Sequence, residues 1–135
     1  MQRHRTNGVL LVVVVGVLLG VAVNGDAQAP DPQSLLGEWI GTWTGRLASA
    51  SGPYRLVIER VDGRRVRGHV ETTGGRNQQG APVSFRIAGV LKGNHLTYGA
   101  SNSPVDLEVN GSEMRGTWTG LAHRDITLNK MKERR

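Results

Sequence analysis

The sequence predicts an all-β protein, an antiparallel up-and-down barrel of about eight strands, with a two-layer β-sandwich as the alternative. Three observations carry this. Apolar and polar side chains alternate with period two across residues 38–130. Turn residues interrupt that alternation every eight to twelve positions. No helical periodicity of useful length follows Leu36.

Composition sets the outer limits. The chain has 135 residues, enough for one domain, with 38% apolar and 21% charged residues. These values exclude a disordered acidic chain and a bundle of charged helices. Without cysteine there is no disulfide framework, thiolate metal site or thiol nucleophile.

The elements follow in chain order. Residues 1–27 read as a signal peptide: basic Arg3 and Arg5, an uncharged apolar run over 8–23, then the small and polar residues 24–29. Sixteen residues at about 1.5 Å rise cover roughly 24 Å, short of a hydrocarbon core of about 30 Å, and Gly25-x-Ala27 supplies a cleavage site. Removing this leader takes two basic residues and one acidic residue from a net charge of +6, leaving about +5. The domain is expected outside the cytoplasm, periplasmic or secreted, with no membrane span once the leader is cut. Residues 28–36 form a lead-in, 37–130 a single barrel and 131–135 a basic tail.

Strands are expected at 38–47, 54–60, 64–72, 83–92, 95–100, 105–109, 112–120 and 125–130. Side-chain parity tests the turns between them, because a one-residue slip moves a whole face from core to solvent. A two-residue loop at Gly93-Asn94 sets Leu91 opposite Leu96 and Gly89 opposite Tyr98. One at Asn110-Gly111, in the type I′ form that Asn-Gly favours, sets Leu107 opposite Met114. A three-residue loop Val61-Asp62-Gly63, with Gly63 as the bulge, sets Ile58 opposite Val66. Short hairpins of this kind suit a barrel, which removes exposed edges.

The resulting inward set is Trp39, Trp43, Leu56, Ile58, Val66, Val70, Phe85, Ile87, Leu91, Leu96, Tyr98, Val105, Leu107, Val109, Met114, Trp118, Ile126 and Leu128. The outward set is rich in Thr, Arg, Asp and Glu, with Ile40, Val57, Val61, Ala88 and Val90 as apolar exceptions. Inward glycines, among them Gly41, Gly68 and Gly116, let strands coil tightly. The pentapeptide Gly-Thr-Trp-Thr-Gly occurs at 41–45 and at 116–120, which reads as two strands solving one packing problem.

Ser34-Leu35-Leu36-Gly37-Glu38-Trp39 resembles the opening of a calycin-type barrel, the group of lipocalins, fatty-acid-binding proteins and avidins. The resemblance implies a short turn of helix before Gly37-x-Trp39. It also implies that Trp39 closes one end of the barrel under a cation from a late strand, Arg124 or Lys130.

Little in the sequence suggests catalysis. His69, His95 and His123 are scattered over a wet face, a turn and a loop, with no metal-ligand spacing. The inward set has no group that ionises near neutral pH, so no catalytic residue, metal or cofactor is expected. Arg64, Arg65 and Arg67 form a basic patch, with Arg60 and Arg86 near it. The aromatics point inward rather than between the cations, which argues against a nucleic-acid partner. The expectation is an exported, non-enzymatic barrel that binds a small apolar ligand near Trp39, Trp43, Tyr98 and Trp118, gated by residues 73–82. The alternative is a solid-core module whose outer basic and apolar face meets a protein or an anionic envelope component.

Overall fold

The computed structural model describes residues 29–46, 50–73, 82–120 and 123–132. The leader 1–27, most of the expected gate at 73–82 and the end of the tail lie outside these residues. Among the described residues no helix is long and apolar enough to cross a membrane.

A 3₁₀ turn (Pro32–Leu35) comes first, capped by the Asp31 carboxylate, which accepts from the Gln33 N–H at 3.0 Å. Eight strands follow: β1 (Gly37–Gly45), β2 (Ser51–Asp62), β3 (Arg65–Thr73), β4 (Pro82–Lys92), β5 (His95–Tyr98), β6 (Val105–Asn110), β7 (Glu113–Trp118) and β8 (Arg124–Lys130). Each pairs antiparallel with its chain neighbour, and β1 pairs with β8, closing the barrel. The β1–β8 ladder, from Trp39↔Lys130 to Gly45↔Arg124, leaves neither strand as the free edge that a sandwich would have.

Glycine makes the tight coiling possible. A Cβ on Gly41, Gly68 or Gly116 would sit 1.7–1.8 Å from the carbonyl oxygen of Thr127, Val57 or Asp106 respectively. The strands cross too closely there for any side chain.

The parity reading fixes the faces. Every residue of the expected inward set is buried except Phe85 and Trp118, which are half-buried and packed on the core. Leu35 and Tyr54 join the core as well, both fully buried.

Two registers differ from expectation, each by two residues. Ile58 stands opposite Gly68, and Leu107 opposite Gly116. A shift of two keeps each side chain on its face, so parity alone cannot detect it. The turn residues are Gly63-Arg64, Gly93-Asn94 and Gly111-Ser112, with the glycine first and at φ of 58–61°. No non-glycine residue among those described has positive φ. The three loops therefore have the type II′ pattern, with positive φ only at the first central residue, rather than type I′.

The bulge expected at Gly63 lies instead at Glu59, between the pairs Ile58↔Gly68 and Arg60↔Arg67. The extra residue reverses parity beyond it. Val61, expected outside, consequently pairs with Val66 and packs against the core. The remaining outward apolar residues lie beside charged or polar ladder partners: Val57 stands between Glu38 and His69, and Ala88 opposite Arg67. Ile40 stands opposite Arg55, and Val90 between Arg65 and Thr97.

Candidate functional site

Antiparallel strands put the start of β1, the end of β8 and the β2–β3 turn at one end of the barrel. That end is sealed. Trp39 is fully buried, and its indole N–H donates to the Leu35 carbonyl of the 3₁₀ turn at 2.9 Å. Lys130 Nζ lies 5.7 Å from the centre of the Trp39 ring and donates to the Ser34 carbonyl. This is the cation-capped Gly-x-Trp arrangement that the sequence resemblance implies, with Lys130 as the cation.

Trp43, Tyr98 and Trp118 gather at the opposite end. Trp39 does not belong with them, because it opens β1 whereas Trp43 approaches the strand's far end. The two Gly-Thr-Trp-Thr-Gly copies flank β8 on either side: Trp43 pairs with Ile126 and Trp118 with Arg124. The Arg124 guanidinium carbon lies 4.5 Å from the Trp43 ring centre and 4.7 Å from that of Trp118. One cation thus serves two tryptophans. The Trp43 indole N–H donates to the Thr73 carbonyl at 2.9 Å, and that of Trp118 to Ser103 Oγ at 2.7 Å. Beneath them the Tyr54 and Tyr98 hydroxyls share a buried hydrogen bond of 2.6 Å. Burial pushes both phenols well above their ordinary range; the shared bond opposes this at Tyr54 and adds to it at Tyr98.

Among the described residues the barrel wall is breached beside this cluster, between β4 and β5. β5 ends at Tyr98 rather than at 100, and Gly99 takes φ 97° as the chain leaves the sheet. The last β4–β5 pair is Val90↔Thr97, so the expected Gly89–Tyr98 pair is not part of the ladder. The Leu91 N–H donates to the Arg64 carbonyl on the β3 side at 2.8 Å. Backbone polar groups alternate sides along a strand, so those of Ser84, Arg86 and Ala88 face the breach.

The breach is a cleft of about 440 Å³ whose lining includes Phe85, Ile87, Tyr98, Val105 and Trp118. This volume lies in the range of small-molecule sites. The lining is mainly apolar, with Ser103 and Arg86 as polar side chains, while the Tyr98 hydroxyl is turned to Tyr54. Phe85, Ile87 and Val105 are site residues that sequence reasoning placed only in the core. Gly99, at the end of a strand run, is the signal that β5 stops short.

The basic patch lies on the β2–β3 hairpin at the sealed end. Arg60, Asp62, Arg65 and Arg67 line a hollow of about 190 Å³, next to Arg64 in the turn. The histidines remain apart. His69 Nδ1 lies 2.6 Å from Glu59 Oε1, His95 Nδ1 lies 2.9 Å from Asp106 Oδ1, and His123 is exposed. Among the described residues no three His, Cys, Asp or Glu side chains come together as a metal site.

The fold and its sealed end define a small barrel of calycin-like architecture. Among solved structures, the chain is similar to a redesigned β-barrel, with TM-score 0.57 and 16% identity over 78% of this chain and 97% of that one. It is also similar to a variant of the fluorescent protein UnaG, with TM-score 0.45 and 15% identity over 75% of this chain and 99% of that one. No family model and no curated protein matches the chain.

Proposed function

We propose that this chain is an exported, non-enzymatic barrel that holds a small apolar ligand in the cleft between β4 and the β5–β6 connection. The observation that carries this reading is the breach itself: about 440 Å³ of mainly apolar space where β4 outruns β5. A solid-core module would gain by pairing those strands to their ends. The cleft presents two aromatic faces, Phe85 and Trp118, whose ring centres are 6.4 Å apart. Tyr54 and Arg124 pack against the Trp118 ring, and Arg124 links it to Trp43. Export is supported by the leader-like residues 1–27, and a non-enzymatic role by an inward face that, among the described residues, carries no group ionising near neutral pH. The expected compartment is the periplasm or the exterior.

Native mass spectrometry of the chain purified from its own host tests the reading. A small molecule retained by the protein, and lost in an Ala100→Trp variant that fills the cleft from an exposed lining position, is the expected result. A bare mass, together with no saturable change in tryptophan fluorescence on titration with 1-octanol, would overturn it.

A further inference from the structure

We infer that the β2–β3 hairpin binds phosphate groups and seats the barrel, sealed end first, on a membrane surface of anionic lipid headgroups. The hairpin concentrates uncompensated charge. Arg46, Arg55 and Arg115 each have a carboxylate partner. Among the described residues Arg60, Arg64, Arg65 and Arg67 have none within 4.0 Å, and neither does Asp62 have a cation. Arg60 stands directly opposite Arg67 in the ladder. Like charges in that relation are destabilising, and an anion held between them would remove the penalty.

Arg60, Arg65 and Arg67 also surround a hollow of about 190 Å³, a concavity that admits a phosphate with its oxygens toward several guanidinium forks. Asp62 lines the same hollow, so cations outnumber it three to one.

The course of the chain points to a lipid surface as the source of that phosphate. The 3₁₀ turn rests on this hairpin, where Gln33 Nε2 donates to the Val61 carbonyl at 3.4 Å. The uncharged apolar run ends at Val23, ten residues earlier in the sequence. Ten residues span at most about 35 Å when extended. Until the leader is cut, that run keeps the 3₁₀ turn, and with it the sealed end, within that distance of the headgroups.

Co-sedimentation of the exported chain, with the N-terminus its host gives it, tests this. The vesicles are phosphatidylcholine alone, or equal parts phosphatidylcholine and phosphatidylglycerol. The unaltered chain should partition to the mixed vesicles and release as salt rises. Each of Arg60→Ala, Arg65→Ala and Arg67→Ala should lower partition about fivefold, and the three together about a hundredfold. Arg46→Ala, which removes the same charge at the other end, should change it less than twofold. Equal binding to both vesicles, an undiminished triple variant, or an equal loss with Arg46→Ala would overturn the inference. So would saturation by inorganic phosphate without partition to vesicles. If the triple variant fails to fold, the single variants decide. Ligand retention in the cleft is read separately, so either proposal can fail alone.

Discussion

The two ends of this barrel use the same chemical device to different effect. At the sealed end one tryptophan, Trp39, lies under one cation, Lys130, and a 3₁₀ turn covers both. At the other end two tryptophans share Arg124, but among the described residues the wall beside them is incomplete. A ring and a cation can therefore close a barrel or frame an opening, depending on whether backbone covers them. At the sealed end the cover comes from the lead-in to β1. At the open end, among the described residues, β5 stops at Tyr98 and supplies none.

The largest effect that would break this comparison is in stability. Trp39→Ala removes a fully buried ring and should cost about 3–5 kcal/mol in urea unfolding. Trp118→Ala removes a half-buried ring on the cleft wall and should cost roughly half as much. Equal losses would mean that the open end is packed like the sealed one.

Next is the tyrosine pair, which has no counterpart under Trp39. Tyr98→Phe leaves the buried Tyr54 hydroxyl without its partner and should cost about 1–3 kcal/mol. The pair also sets an alkaline limit. Both folded-state phenols titrate above the unfolded value near 10, because burial disfavours the phenolate. Their contribution is complete below pH 10 and declines as pH rises beyond it toward the folded-state values. Unfolding midpoints measured against pH should bend downward above 10, and less steeply in Tyr98→Phe.

Smaller again is the difference between the two cations. Arg124→Met loses contact with two rings and should cost about 1–2 kcal/mol, whereas Lys130→Met loses one longer ring contact together with the hydrogen bond to the Ser34 carbonyl and should cost at least as much. Thermal midpoints of the two variants rank them.

Much of this architecture is legible in the sequence, and the reason is parity. Alternation identifies the inward tryptophans, leucines and valines, and the short turns identify the order of the strands. Parity leaves register open by multiples of two, which is why Ile58 and Leu107 face different partners from those expected. It also cannot see a bulge inside a strand, so the inward turn of Val61 past Glu59 is not apparent from alternation. The Asn-Gly dipeptide at 110–111 suggested a turn one residue too early, because the glycine occupies the first central position, not the second.

The candidate site is legible in its aromatics but not in its shape. Trp43, Tyr98 and Trp118 were recognisable as inward rings. Their separation from Trp39 follows from strand direction once the barrel is closed. The cleft depends on a difference in length between β4 and β5, and that difference rests on the left-handed conformation of Gly99.

The central claim is one sealed end and one breached end, and the three indole N–H resonances report on both. Titrated with 1-octanol in heteronuclear NMR, the Trp118 signal should move saturably, the Trp43 signal should follow to a smaller extent, and the Trp39 signal should stay in place. Movement of Trp39 equal to that of Trp118, or no movement of any of the three, would contradict the account.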